Sequence, residues 1–482
     1  MSVRSLKVNA LLNFVKQLMT IVFPLVSFPY VSRVLGSSEF GKYNIASSLV
    51  SYFSLLALFG ITNYAVREGA RIRDNQEEIS RFASQMFSIN LITTTISYVI
   101  LFLIVSLSQK FQPYSTLILI QSLCLMMNLI GQDWLNTVFE DFLYITLRYI
   151  VLQVFALGAI FAFVRTEHDT AIYCLIMVLA SYGGNIINLF HLRKYVDVRF
   201  TWNVPFRKVA LPLLILFINS LAVIIYVNSD ITILGLFKDD SVVGVYSFAS
   251  KLYNIIKQLI NATILVFVPR LTVYYISDHN RYGKLISIII NLLVLLVIPM
   301  SVALSILSPK IIWVAGGNQY ISGSTSFSIL IFSIIFALIS SVYTNCILII
   351  SRNEKKILVA TSVSALVNVI GNIIFIPFIG MIGAALTTLV SELLNLAIQQ
   401  YYAHQFITYK FFNRLVVLLA VVGGLIATVV SLVMTQFITT YSLISVVAML
   451  ATTMVLIVSL YGLVLFFFRA RLRKIFRCSV KK

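Results

Sequence analysis

Hydrophobic segments that are each long enough to cross a bilayer recur from Leu11 to Phe468, with only short connections between them. A spanning helix needs about 20 predominantly apolar residues, and this rule predicts about fourteen such helices along the chain. In hydrocarbon only helices and closed barrels satisfy every backbone N–H and C=O group. The sequence therefore predicts an all-α integral membrane protein, in which a polar side chain inside a span needs a partner or a cavity.

The composition agrees with a membrane protein, since 60% of the residues are hydrophobic and only 11% are charged. No connection between spans is long enough for a catalytic domain, so we expect the chain not to be an enzyme. Cys124, Cys174 and Cys346 lie in apolar segments, Cys478 lies in the tail, and the four histidines stand singly. This pattern predicts neither a disulfide framework nor a metal site, and we expect no cofactor.

The net charge of +19 suggests a nucleic-acid partner at first sight, but the distribution of the basic residues argues against one. Most Lys and Arg residues fall in loops on one predicted side of the membrane, which the positive-inside rule assigns to the cytoplasm together with both termini. The opposite loops hold only Arg33, Lys42, Lys110, Arg165, Lys238 and Lys310. A basic tail is expected to bind the anionic inner leaflet; it contains Arg469, Arg471, Arg473, Lys474, Arg477, Lys481 and Lys482.

An internal repeat predicts two related halves. The segment "FGKYNIASSL" begins at Phe40 and "VGVYSFASKL" begins at Val243, with five identities at a constant offset of 203. Ser181 and Asn185 recur at an offset of 210 as Ser391 and Asn395. Two six-helix bundles with the same orientation are therefore expected, as in transporters built from parallel repeats. The predicted divisions are a first bundle over 1–195, a cytoplasmic linker over 196–208, a second bundle over 209–405, two additional transmembrane helices over 411–468, and the basic cytoplasmic tail over 469–482.

Two predicted helices carry a polar face that includes lysine. In the first helix these residues recur at helical spacing, and so do those of the eighth. A charge at the bilayer centre is costly and usually faces a cavity or a partner, so the pattern predicts a water-filled cationic lumen for an anionic substrate. Snorkelling to the interface and a buried ion pair are the structural alternatives for the lysines. The substrate-binding candidates are Lys16, Lys251, Lys257, Asn13, Asn254, Gln258 and Asn261.

Three stretches in the first 150 residues resemble the Wzx-type polysaccharide flippases. They are "FPLVSFPYVSRVLGSSEFGKYNIASSLVSYF", "NYAVREGARIRD" and "DWLNTVFEDFLYITLR". These flippases share a superfamily with multidrug exporters of the MATE type and with other flippases of lipid-linked oligosaccharides. The residues that match the family motifs are Arg33, Arg67, Glu68, Trp134, Glu140 and Arg148. The chain departs from the usual pattern at Ala65 and over 136–138.

The resemblance implies a V-shaped transporter in the bacterial cytoplasmic membrane. It would move an undecaprenyl-diphosphate-linked oligosaccharide from the inner to the outer leaflet by alternating access. The product would be a capsule, an exopolysaccharide, a teichoic acid or an O-antigen, assembled with glycosyltransferases and a polysaccharide polymerase. The lumen lysines would attract the diphosphate, and the amide side chains would hydrogen-bond the sugars. Asp230 and Glu392 are the carboxylates expected to couple transport to H+ or Na+.

Three other functions remain open on the sequence alone. A multidrug or cation exporter of the same fold would need an acidic or aromatic cavity, whereas this chain offers lysines. A flippase for the peptidoglycan lipid precursor handles the same lipid diphosphate and is poorly separated by sequence. A membrane polymerase or ligase is disfavoured, because such an enzyme usually needs sizeable outer loops with charged catalytic residues.

Overall fold

The computed structural model describes residues 6–406, 413–436 and 442–476 of the chain. Within these ranges the side chains of residues 6–11, 13, 14 and 474 are not described. Asn13 therefore lies in a helix, but its side chain is outside the described part. Arg477, Cys478, Lys481 and Lys482 of the predicted tail also lie outside it.

The chain divides into two compact units, Met1–Gly244 and Val245–Lys482. All regular structure in the described ranges is helical. The first unit contains α1 (Leu6–Leu58), α2 (Ile61–Ile72), α3 (Gln76–Leu107), α4 (Ser115–Gly131), α5 (Trp134–Val138), α6 (Phe142–Phe163), α7 (Thr170–Tyr182), α8 (Gly184–Leu192) and α9 (Phe206–Phe237). Helix α10 (Asp240–Leu265) begins in the first unit and continues into the second.

The second unit continues with a further set of helices and one π-helix, Tyr343–Leu348, between α14 and α15. Its helices after α10 are α11 (Val268–Ser277), α12 (His279–Ile306), α13 (Ser308–Gly316), α14 (Ser324–Val342), α15 (Glu354–Ala403), α16 (Arg414–Gln436), α17 (Leu443–Phe467) and α18 (Arg469–Phe476). The predicted limits of the two bundles and of the linker stay predictions.

Twelve helical segments in the described ranges are long and apolar enough to cross a membrane, which confirms the expected all-α membrane fold. The two longest each contain a glycine with non-helical dihedral angles: Gly36 in α1 has φ 76° and Gly380 in α15 has φ 57°. Positive φ is readily available only to glycine, so each of these residues forms a kink at which one helix gives way to the next. Division at both glycines would give the predicted fourteen helices, a count that stays a prediction.

Buried hydroxyl groups in the spans bond mainly to the backbone of their own helix. The Oγ of Ser88 donates to the carbonyl of Ser84 at 2.8 Å, and the Oγ1 of Thr453 donates to the carbonyl of Met449 at 2.7 Å. A buried hydroxyl without a partner costs free energy, and the carbonyl four residues earlier is the nearest acceptor. Serine and threonine therefore fit an apolar helix without requiring water.

The repeat has a direct structural basis in its two glycines. Gly41 and Gly244 occupy the same position in the two copies, and in the first unit they pack against each other. A Cβ on Gly41 would lie 1.8 Å from the carbonyl oxygen of Asp240, and a Cβ on Gly244 would lie 1.8 Å from that of Ser37. Small residues allow two helices to approach closely where apolar surface alone gives no driving force. A larger residue at either position would clash with the backbone of the opposite helix, so each helix requires the glycine of the other.

We expect Gly41→Ala to lower the free energy of unfolding by about 1–3 kcal/mol, because the added methyl group forces the two helices apart. Thermal unfolding of the purified protein in detergent measures this effect as a lower midpoint. Gly158→Ala is the matched control, since a Cβ there has no neighbour within 4 Å. A midpoint for Gly41→Ala as high as that of the control would show that the crossing tolerates a larger residue.

Candidate functional site

An ion pair inside the membrane-spanning part of the second unit is the centre of the candidate site. The ammonium of Lys257 on α10 lies 2.7 Å from Oε1 of Glu392 on the second half of α15. The hydroxyl of Tyr253, one turn before Lys257, donates to the same carboxylate oxygen at 3.5 Å. The Lys257 ammonium also lies 5.5 Å from the centre of the Tyr253 ring, within the range of a cation–π contact.

The two charges of this pair differ in accessibility. The side chain of Glu392 is 4% exposed, whereas that of Lys257 is 30% exposed. Burying an ion costs several kcal/mol, and a close partner of opposite charge offsets this cost. The sequence left two alternatives for Lys257, a position in a lumen or a buried ion pair. The structure shows the ion pair. The remaining exposure of the Lys257 side chain keeps the ammonium within reach of a ligand.

The other predicted polar residues of α10 have different surroundings. Lys251 is half-buried and Gln258 is exposed. The amide of Asn254 donates to the hydroxyl of Ser250 at 3.4 Å. Asn261 accepts a hydrogen bond from the hydroxyl of Ser341 on α14. The polar face therefore runs from exposed positions to positions that bind neighbouring helices.

A polar network around the π-helix was not predicted from the sequence. The hydroxyl of Thr344 donates to Oε1 of Gln399 at 2.8 Å, and the amide of Gln399 donates to Asn395 at 3.1 Å. Asn395 in turn donates to the hydroxyl of Ser340 at 3.1 Å. Asn395 lies one turn after Glu392, so the network joins the helix that carries the carboxylate to α14. Short π-helices are frequent at functional sites.

The remaining lumen and coupling candidates lie in the first unit. Lys16 is half-buried in α1, with its ammonium 5.8 Å from the centre of the Tyr149 ring. Asp230 on α9 is 8% exposed. Two residues before it, the amide of Asn228 donates to the hydroxyl of Ser51 at 2.8 Å and so joins α9 to α1.

The family-motif residues of the first unit form ion pairs close to the loops. Glu68 lies 2.8 Å from Arg67 and 2.9 Å from Arg71 on α2. Arg73 after α2 lies 2.6 Å from Glu140, which follows α5. The Arg73–Glu140 pair therefore joins two different loops.

Arg148 has the most buried of these ionic contacts. Its side chain is 9% exposed, and one guanidinium nitrogen lies 2.6 and 2.8 Å from the two oxygens of Asp133. A second nitrogen donates to the carbonyl of Gly184 at 3.0 Å. The amide of Asn136 donates to Asn188 at 2.7 Å, and Asn188 donates to Asp133 at 3.2 Å. These contacts fix the loop between α4 and α6 against α8.

Two motif residues have other roles in the structure. Trp134 is buried, and its ring makes an edge-on contact with Phe82, with 5.9 Å between the centroids. Arg33 is exposed in α1.

Asp141 is the acceptor of a second cluster at this end of the unit. Its Oδ2 lies 2.8 Å from Nε2 of His191, and it accepts a hydrogen bond from the hydroxyl of Tyr195 at 2.9 Å. Lys194 lies 3.5 Å away, and the ring of Tyr144 stacks on His191. Burial raises the pKa of this carboxyl, but the hydrogen bonds from His191 and Tyr195 and the Lys194 charge outweigh burial, so the pKa lies below its usual value.

Among the described residues, no group of three or more His, Cys, Asp or Glu side chains is placed to hold a metal ion. The chain matches the family described as "Polysaccharide biosynthesis protein" over residues 6–275. The chain belongs to this family. The resemblance that the sequence motifs indicated is thereby confirmed.

Two relatives of this polysaccharide biosynthesis protein carry transport names. The "Putative O-antigen transporter" of Escherichia coli K12 is 25% identical over 279 residues, which is 56% of this chain and 65% of the relative. The "Probable low-salt glycan biosynthesis flippase Agl15" of Haloferax volcanii DS2 is 26% identical over 203 residues, 40% of this chain and 41% of the relative. The matches thus span less than two thirds of either relative.

A solved structure shares the fold of this polysaccharide biosynthesis protein. The "Lipid II flippase MurJ, inward closed conformation" superposes with a TM-score of 0.71, covering 97% of this chain and 100% of that chain at 17% sequence identity. At this identity the similarity shows the fold alone.

The repeat contained a signal for the Lys257–Glu392 pair. At the offset of 203, Lys257 corresponds to Ser54, and at the offset of 210, Glu392 corresponds to Tyr182. Both charges thus stand where the first copy has a neutral polar residue. When one repeat copy carries two opposite charges where the other copy is neutral, the two charges are expected to contact each other. Neither charge is stable alone in a membrane span.

We expect Arg148→Ala to lower the free energy of unfolding by about 1–3 kcal/mol, since Asp133 loses its counter-charge and the Gly184 carbonyl loses its donor. Thermal unfolding in detergent measures the loss. Arg71→Ala is the control, because the Arg71 side chain is 71% exposed and exposed ion pairs contribute little. Equal midpoints for the two variants would contradict a stabilising role for Arg148.

The depressed pKa of Asp141 predicts a pH-dependent contribution to stability. An unperturbed aspartate has a pKa of about 3.9, so the stabilisation is complete above that value and is lost as the pH falls through the lower pKa of the folded state. We expect Asp141→Asn to unfold at a lower temperature than the unmodified protein at pH 7. The difference between their midpoints should shrink below about pH 4. A difference that is constant across this range would exclude Asp141 as its source.

Proposed function

We propose that this protein is a flippase that moves an undecaprenyl-diphosphate-linked oligosaccharide from the inner to the outer leaflet by alternating access. The observation that carries the proposal is the Lys257–Glu392 pair, a partly exposed lysine side chain beside a buried carboxylate in membrane-spanning helices. Membership of the polysaccharide biosynthesis family and the transport names of two relatives support it. The membrane is the bacterial cytoplasmic membrane, with both termini in the cytoplasm on the side of the basic loops.

Lys257 recognises the diphosphate. A lysine ammonium binds phosphate as a compact charge, and the 30% exposure of Lys257 gives a ligand access to it. Lys251 and Lys16 add positive charge that attracts the diphosphate and acidic sugars. Asn13, Asn254, Gln258 and Asn261 supply amide groups for sugar hydroxyls.

Exchange of partners at Lys257 would couple transport to an ion. When a phosphate oxygen takes the ammonium, Glu392 loses its counter-charge while its side chain is only 4% exposed. A buried carboxylate that has lost its partner binds a proton or a cation more tightly than a paired one, because desolvation disfavours the free anion. Glu392 would then bind H+ or Na+ as the substrate enters, and release it when Lys257 returns. Asp230, buried in α9, is the second coupling candidate.

An apolar cavity in the second unit suits the lipid tail. Its volume is about 520 Å³, and it lies between α10, α12 and α17. Leu259, Ile260 and Ile264 line it from α10, the helix that also carries Lys257. Polyprenyl chains bury apolar surface there while the diphosphate stays at the ammonium.

The reaction involves no covalent step, so the protein acts as a transporter and not as an enzyme. Glycosyltransferases would supply the lipid-linked oligosaccharide, and a polymerase would consume it in the outer leaflet to build the polysaccharide. A cation exporter fits the geometry less well, because Lys257 already neutralises the carboxylate that would attract a cationic drug.

Three variants separate a role in transport from a role in folding: Lys257→Met, Glu392→Gln and the two combined. Removal of Lys257 alone leaves a buried carboxylate unpaired, at a cost of about 3–5 kcal/mol, whereas neutralising both groups is close to neutral for stability. We therefore expect the double variant to unfold near the temperature of the unmodified protein but to lose export of the polysaccharide by more than about tenfold.

Export is measured in cells that lack the chromosomal copy, at matched membrane levels of each variant. Lys208→Met, at an exposed position of α9, is the control for loss of a lysine. Normal export by the stable double variant would refute the proposed role of the pair and leave it a packing feature.

A further inference from the structure

The first unit contains a cavity, partly lined by polar side chains, that the ion-pair mechanism does not use. Its volume is about 330 Å³, near the lower end of the range of about 300–1,000 Å³ for small-molecule sites. Helices α1, α4 and α7 enclose most of it. The polar residues at its surface include Ser47, Ser51, Ser54, Gln121, Ser181 and Tyr182.

This cavity is the counterpart, by the repeat, of the Lys257–Glu392 pair. Ser54 corresponds to Lys257 and Tyr182 corresponds to Glu392 at the two repeat offsets. In the second unit the two residues contact each other, and in the first unit their counterparts line one cavity. The corresponding positions of the sequence are thus charged in the second copy and neutral in the first.

The chemistry of the lining selects a neutral ligand rich in hydroxyl groups. None of the residues described as lining this cavity is charged, so neither a cation nor a phosphate finds a counter-ion there. Serine and tyrosine hydroxyls both donate and accept hydrogen bonds, which matches the hydroxyls of a sugar. Within the described part of the chain, no hydrogen-bond partner is recorded for the hydroxyls of Ser47, Ser181 and Tyr182.

The other polar groups at the surface of the cavity are held in place by the fold. Asn228 donates to the hydroxyl of Ser51 at 2.8 Å, and this hydroxyl donates to the carbonyl of Ser48 at 2.7 Å. The amide of Gln121 donates to the carbonyl of Tyr43 at 3.1 Å, which leaves its Oε1 for other donors. Fixed polar groups at the edge of a mostly apolar cavity are typical of specific ligand sites.

We propose that this cavity binds one neutral sugar residue of the transported molecule, with Ser54 and Tyr182 at its centre. The inference rests on the proposed function and extends it, since it adds a site for one neutral sugar in the first copy of the repeat to the diphosphate site at Lys257 in the second copy.

Equilibrium binding to the protein in lipid nanodiscs tests the inference with two probes. One is undecaprenyl diphosphate, and the other is the undecaprenyl-diphosphate-linked oligosaccharide fraction extracted from cells that lack this protein. We expect the unmodified protein to bind the oligosaccharide fraction about tenfold more tightly than the bare lipid diphosphate. A few hydrogen bonds to the sugar provide a gain in affinity of this size. Ser54→Leu fills the cavity and should bring the two dissociation constants within about twofold, with the bare lipid bound as before.

Ser106→Leu is the matched control, because Ser106 is exposed on α3 and does not line the cavity. Retention of the tenfold preference by Ser54→Leu would overturn the sugar site, and so would equal binding of the two probes by the unmodified protein. Failure of the proposed function is distinguishable: the unmodified protein would then bind neither probe, or Lys257→Met would bind bare undecaprenyl diphosphate as tightly as the unmodified protein does.

Discussion

The absence of water as a hydrogen-bond partner is the constraint on which the rest of this structure depends. Inside hydrocarbon every backbone group must bond within its own segment, and the described part of the chain is accordingly helical throughout its regular structure. The same constraint acts on side chains. Ser88 and Thr453 bond to their own helices, and Glu392 lies within reach of both Lys257 and Tyr253. These polar groups in the spans have protein partners, whereas other polar side chains of the spans, such as Ser47 and Ser181, adjoin a cavity.

Close packing of helices in such a medium depends on shape more than on hydrophobicity, because lipid tails are as apolar as leucine. The contact between Gly41 and Gly244 shows this directly, since the helix backbones meet where a side chain would stand. Outside the spans the ordinary rules of aqueous proteins return. The ion pair of Arg73 with Glu140 joins two loops, the ion pair of Arg148 on α6 holds Asp133 in the loop after α4, and the lowered pKa of Asp141 reflects a carboxylate held by several donors.

The two copies of the repeat differ in charge at corresponding positions of the sequence. In the second copy a lysine and a glutamate neutralise each other, and in the first a serine and a tyrosine line an uncharged cavity. Duplication followed by such divergence offers a simple route to a transporter for a substrate with two chemically different parts. A lipid-linked oligosaccharide is such a substrate, because its diphosphate needs a cation and its neutral sugars need hydrogen bonds.

The sequence by itself determined the membrane fold, the family and the candidate polar positions, because hydropathy over a span and short local motifs do not depend on distant contacts. The position of the glycines in the repeat also followed from the sequence, although their mutual contact did not. Only the tertiary structure decided that Lys257 and Glu392 form one pair and that Asn261 binds Ser341. It likewise decided that Ser54 and Tyr182 share a cavity. These are contacts between helices far apart in the chain, and helical periodicity shows which face a residue occupies but not which helix packs against that face.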